Sequence, residues 1–232
     1  MKKIFLTTLF SIFLSSNAYA LDKNTQLDFK LKTSDKTSEY SIYYSGDIIK
    51  TSEKTINSKY KKDNKNNTHI RIFDSKKHEN YSANYPFKEF DLIKNFNNDR
   101  FILFNCLGYQ FSFNDINNLQ ETEKKLLDKK FVKLSDEKII LANREFDCIV
   151  FEGKYNSKDK NSNEMKSTSK IWIDKKLMFF VKRSTSEIIN GEKLDYNMEL
   201  ASIKENVNFE KNFFSTKDAK IWIDNRGSKV KK

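Results

Sequence analysis

Glycine and proline are scarce: five and one in 232 residues, the single proline being Pro86. Loops that cradle phosphates or dinucleotides are built from glycine, so the chain has little material for them. Gly-x-Ser-x-Gly, His-Glu-x-x-His and Cys-x-x-Cys are all absent, which removes the sequence marks of serine hydrolases, zinc peptidases and thiol–disulfide exchange. The two histidines, His69 and His78, flank Asp74 at a spacing that fits no zinc signature. Carboxylates are plentiful, but nothing singles out a pair for glycoside hydrolysis. The expectation is a protein that is not an enzyme and has no cofactor or metal. An envelope hydrolase with paired carboxylates is the remotest reading.

Long hydrophobic runs are missing except at the start. Met1-Lys2-Lys3 is basic, Ile4 to Leu14 is apolar but for Thr7, Thr8 and Ser11, and Ala18-Tyr19-Ala20 is a small-x-small site. That is the pattern of a cleavable secretory signal peptide over residues 1–20. Leu21 would follow the cut, and no cysteine lies there to take a lipid anchor. A composition heavy in Lys, Asn, Ile and Phe suits a bacterium, so the expected compartment is the periplasm, with secretion as second choice. Residues 21–227 read as one domain and 228–232 as a frayed basic tail.

Cysteine is limited to Cys106 and Cys148. In an oxidising compartment an even number argues for a bridge, which would add roughly 4 kcal/mol on the chain-entropy estimate. The alternative is two buried thiols. The formal charge of +11 is spread along the chain. In an exported protein such an excess serves solubility or transient contact with an anionic membrane surface rather than nucleic acid.

What is abundant is aromatic: twenty Phe and ten Tyr, large side chains that favour strands. The stretch from Arg144 to Lys182 sets the grammar, with short alternating runs separated by polar clusters, as in an antiparallel meander. Further strands are expected at Thr25–Thr33, Glu39–Lys50 with a bend near Asp47, Thr68–Asp74, Phe131–Leu134, Lys138–Ala142 and Leu194–Ile203. Thr51–Lys62 reads as an exposed or edge strand, and Asn156–Ser169 as a polar turn. Arg100–Phe113 is one bent strand or a hairpin near Gly108. Phe87, Phe90, Ile93 and Phe96 recur every three residues after Pro86 and predict a short helix to Asn95. Asn117 followed by Gln120 predicts a capped helix to Lys129. Lys-Ile-Trp-Ile-Asp occurs at Lys170–Asp174 and again at Lys220–Asp224.

Asn143 to Glu152, then Ser169 to Lys176, resemble the second half of the periplasmic lipoprotein-carrier superfamily, in which a "lysine, apolar, tryptophan, apolar, aspartate" strand precedes a hairpin return. Phe213 to Lys220 resembles its closing segment, without the proline common there. The resemblance runs from Phe131 to Asp224. It implies a curved antiparallel sheet, an unclosed barrel, covered by short helices, whose apolar concavity carries a lipid or acylated protein. The family's lipid-handling arginine has no clear counterpart; Arg71 and Arg183 are available. Candidate lining residues are Phe101, Leu103, Phe111, Phe113, Ile149, Phe151, Trp172, Met178, Phe180 and Met198, and a slip of one residue would exchange the faces. The protein is expected to act as a monomer. The second hypothesis is a structural or interaction module of the envelope, with a filled core and a basic surface for protein or glycan.

Overall fold

Turn chemistry divides the chain into strands. Ala142 and Asn143, and Asn190 and Gly191, all have positive φ, as the two central residues of a type I′ hairpin turn require. Two longer turns share one device. Asp74 Oδ1 accepts from the amides of Lys76 and Lys77, and Asp174 Oδ1 from those of Lys176 and Leu177. His78 and Met178 then take left-handed φ of 53° and 50°. An aspartate that bonds the backbone two and three residues on is a strong turn former.

The structure, a computed structural model, describes residues 21, 24–59, 67–85, 87–97, 100–106, 109–158, 164–216 and 220–223; side chains 105, 106, 157, 158, 222 and 223 are excepted. The strands are β1 (Thr25–Thr33), β2 (Lys36–Ser45), β3 (Ile48–Ser58), β4 (Thr68–Asp74), β5 (Glu79–Tyr85), β6 (Glu89–Lys94), β7 (Ile102–Cys106), β8 (Tyr109–Ser112), β9 (Val132–Lys133), β10 (Glu137–Leu141), β11 (Arg144–Lys158), β12 (Glu164–Asp174), β13 (Phe179–Ile189), β14 (Glu192–Lys204) and β15 (Lys220–Ile223). One helix, α1 (Leu119–Asp128), follows a 3-10 turn at Phe113–Asp115. A 13-stranded sheet runs β10-β11-β12-β13-β14-β1-β2-β3-β4-β5-β6-β15, with β9 also on β11; among the described residues β7 and β8 pair only with each other. All neighbours are antiparallel except β15, which lies parallel to β6. The sheet is curved and does not close into a barrel.

Several expectations are corrected. The helix after Pro86 is instead β6, paired with β5 and β15; Phe90 and Leu92 share one face at period two, and that alternation prevails over the spacing of three. Pro86 itself lies outside the described residues. Asn156–Ser169 is strand rather than turn over most of its length, because β11 and β12 stay paired from Cys148↔Asp174 to Lys158↔Glu164. Glu39–Lys50 is split by the turn at Gly46, and β3 is central, flanked by β2 and β4. The helix cap is Asn118, whose Oδ1 accepts from Glu121 N at 3.2 Å. Asn117 instead holds Leu21, accepting from its N at 2.7 Å and donating to its carbonyl at 3.2 Å.

After β14 the chain crosses the convex face. Val207 N donates to the Asn24 carbonyl at 2.8 Å. Phe209 and Phe213 pack edge-on against Tyr43 at 6.2 and 4.9 Å. Lys50 Nζ donates to the Phe213 carbonyl at 3.0 Å and lies 3.8 Å from its ring centroid. Phe214 covers a small outer cluster of Ile72, Tyr81, Ala83 and Leu92. This strap delivers β15 to the β6 edge.

Cys148 is a fully buried free thiol opposite Asp174; the side chain of Cys106 lies outside the described residues. Burial, with Asp174 and Asp147 beside it, pushes the thiol up to about 12 from 9.0. A raised acid pKa contributes stability below the unfolded value, and that contribution is lost as pH climbs from about 9 toward 12. Iodoacetamide at pH 8 is therefore expected to leave Cys148 unmodified in the native protein and to alkylate it in denaturant, as read by peptide mass. Rapid native labelling would contradict its burial.

Candidate functional site: the concave face and its aromatic plug

Strand register sorts the concave face into two zones. Side chains alternate across a strand, so the ladder Ile149↔Ile173↔Phe180 and the ladder Leu200↔Phe29↔Tyr40 mark one face. Leu27, Ile42, Ile49, Phe73, Phe151, Ile171 and Met198 share it, and all are buried. Toward the other strand ends the same parity holds Ser38, Glu53, Thr55, His69, Ser167, Ser169, Arg183, Thr185 and Tyr196. The concavity thus has an apolar base and a polar half.

The base is occupied. The β7–β8 hairpin, the 3-10 turn and α1 lie over it. Phe104 stacks on Phe111 at 5.0 Å, meets Phe180 at 3.9 Å, and Phe111 meets Phe179 edge-on at 5.2 Å. Phe101 stacks on Phe73 at 4.9 Å and Phe113 meets it edge-on at 5.1 Å. Phe180 in turn stacks on Phe29 at 4.9 Å. Leu126 of α1 and Phe131 after it are buried in the same cluster.

Among the described residues this plug forms no ladder with the large sheet. Side chains of the sheet tether it by its carbonyls: Tyr40 Oη donates to Leu103 O at 2.9 Å, and Arg71 donates through one guanidinium nitrogen to Ile102 O at 2.8 Å. The guanidinium carbon of Arg71 also lies 4.3 Å from the Phe101 ring centroid. Burial pushes the Tyr40 phenol well above its ordinary value, so it stays a donor. Burial lowers the Arg71 pKa and nearby Tyr40 acts against that; the guanidinium stays charged. Within the plug, Asp115 is buried and accepts from Ser112 N and Oγ at 2.6 and 2.8 Å and from Lys125 Nζ at 2.8 Å.

Of the candidate lining residues, Ile149, Phe151, Phe180 and Met198 lie on the concave wall. Phe101, Leu103, Phe111 and Phe113 belong to the plug that fills it. Trp172 is on the opposite face: its ring lies between Lys170 and Lys182, and Nε1 donates to Glu137 Oε2 at 2.7 Å. Met178 sits in the β12–β13 turn. Tyr40, Phe29 and Phe104 were not anticipated. The signal for Arg71 was in the sequence, since it shares parity with Phe73 in an alternating strand.

A cavity of about 360 Å³ opens beside the polar half, lined by Lys36, Glu53, His69, Tyr85 and Phe87 among others. Among the described residues no group of three His, Cys, Asp or Glu could hold a metal ion. The segment after α1 packs closely on the sheet: a Cβ at Gly153 of β11 would come within 2.7 Å of the Phe131 ring. Gly153→Ala is expected to cost about 1–3 kcal/mol through overpacking, read as a lowered denaturation midpoint. An unchanged midpoint would mean that Phe131 yields freely.

No protein-family model and no curated protein matches the chain. Among solved structures it is similar to an uncharacterised conserved protein from Thermus thermophilus, with TM-score 0.42, 9% identity, and 88% of this chain and 92% of that one covered. A candidate outer membrane lipoprotein-sorting protein domain from Vibrio parahaemolyticus gives TM-score 0.34, 10% identity, and 83% and 89% coverage. A candidate exported protein with YmcC-like fold from Bacteroides fragilis gives 0.35, 12%, and 81% and 98%. All three similarities lie at 12% identity or less.

Proposed function

We propose that this protein is a non-enzymatic carrier in the bacterial periplasm, in which the acyl chain of a lipid or lipidated protein takes the place of the aromatic hairpin in the concavity. The observation that carries the proposal is the hairpin itself. It covers an apolar wall, yet among the described residues it has no strand pairing to the large sheet, and side-chain bonds to its carbonyls from Tyr40 and Arg71 tether it. Burying an acyl chain contributes about 0.8 kcal/mol per methylene. The displaced rings give up comparable burial, so uptake is close to an even exchange and stays reversible. The basic surface favours transient contact with anionic headgroups.

Native mass spectrometry of residues 21–232, purified from a periplasm without detergent, tests this. The expected result is a reproducible adduct that resolves into lipid species on denaturation. A filled base also favours the second reading, an interaction module of the envelope with a basic protein- or glycan-binding surface. A mass that stays clean after incubation with envelope lipids would select that reading and reject the carrier.

A further inference from the structure

The polar half of the concave face holds a buried hydroxyl without a partner, that of Ser167, on the same face as the Arg183 guanidinium. Ser167 is 3% exposed, and its hydroxyl is buried without a hydrogen-bond partner. Buried hydroxyls are rarely left so. By register it stands beside Glu187, while Ser169 stands beside Thr185 and Ile171 beside Arg183. Ser169 Oγ and Thr185 Oγ1 lie 2.7 Å apart, both fully buried. Arg183 Nε donates to Thr185 Oγ1 at 3.1 Å. Among the described residues no carboxylate pairs with the Arg183 guanidinium, although most other cations on the sheet, Lys182 with Glu199 for instance, are paired. Tyr196 of β14 faces the same group, opposite Thr185.

We infer that this belt, centred on Arg183, binds the phosphodiester headgroup of a glycerophospholipid. The inference rests on the carrier role proposed above and places the polar end of the cargo. The Arg183 guanidinium, with Tyr196 and the unpartnered Ser167 hydroxyl on the same face, offers a phosphate a positive charge and donors; Ser169 and Thr185 bond each other, and Thr185 holds Arg183 Nε in place. Four residues separate Ile173 at the apolar base from Ser169 in the belt, about 13 Å at strand rise, so a lipid can bury its chains against Phe180 with its phosphate at Arg183. Glu187 lies one step further along the same face, where the amine of phosphoethanolamine would meet it. The site therefore favours a zwitterionic ethanolamine lipid over an anionic glycerol one.

The experiment loads the purified protein from vesicles of equal phosphatidylethanolamine and phosphatidylglycerol, and separately with uncharged methyl palmitate, and reads adducts by native mass spectrometry. Wild type should retain phosphatidylethanolamine preferentially. Arg183→Ala should retain roughly tenfold less phospholipid, the loss expected for a charged hydrogen-bond pair, while uptake of the uncharged methyl palmitate and the melting curve stay unchanged; Arg183→Lys should restore part of the retention. Equal phospholipid retention in Arg183→Ala overturns the headgroup site and leaves the carrier standing. Failure of wild type to take up either phospholipid or methyl palmitate overturns both. Soluble glycerophosphoethanolamine binding as tightly as the lipid would overturn the lipid assignment in favour of a small phosphate ligand.

Discussion

A carboxylate in place of Phe180 is expected to destroy the cooperative fold at neutral pH. Phe180 is 0% exposed and touches Phe29, Phe104, Phe111 and Phe179. Loss of the ring alone costs about 3–5 kcal/mol. The new carboxylate adds a desolvation cost, or escapes it by staying protonated with a raised pKa. Together these approach the whole stability of a typical domain, about 5–15 kcal/mol. In circular dichroism Phe180→Asp should melt at least ~10 °C below wild type or show no transition. A raised carboxyl pKa contributes stability that is lost as pH rises, so some of the loss should return on acidification. A shift under ~3 °C would mean that Phe180 does not anchor wall to plug.

Arg71→Ala should separate the plug from the wall without unfolding the sheet. A hydrogen bond from a charged donor is worth about 1.5–3 kcal/mol, so amides of β7 and β8 should exchange roughly ten- to a hundredfold faster through local opening. Amides of β12 and β13 should keep near-wild-type protection. Tyr40→Phe removes the neighbouring tether and should act in the same direction, more weakly. Arg71→Lys should not substitute fully, because a single ammonium cannot both reach the Ile102 carbonyl and lie flat on Phe101. Acyl uptake by Arg71→Ala should be faster than by wild type. Uniformly faster exchange in plug and sheet alike would show Arg71 to be an ordinary core prop.

The strands around Arg144–Lys182 were legible because alternation, type I′ turns and aspartate turns all act locally. Helix α1 was legible from its cap to within one residue, Asn118 replacing Asn117. What failed was decided at a distance. The tails of β11 and β12 look like linker because Ser167 and Ser169 carry no apolar signal; their partners across the ladder and in the belt make them strand. Phe101, Leu103, Phe111 and Phe113 read as wall because parity within a strand says which residues share a face, not which sheet that face belongs to. Nothing local distinguishes a hairpin that builds the concavity from one that fills it. Arg71 is the reverse case: its parity with Phe73 was visible, but its carbonyl partner lies 31 residues away in sequence.

The C-terminal strap has a mechanical consequence. Tyr43, Lys50 and the outer cluster around Ile72 are gripped from the convex side by Phe209, Phe213 and Phe214. Part of the curvature is therefore braced from outside, independently of whatever lies within. Under the carrier reading proposed above, a lifted hairpin would leave a trough that keeps its shape, and an incoming chain would meet a preformed surface. On that reading the strap would spare a guest the cost of bending the sheet, and the energy of insertion would go to displacing rings.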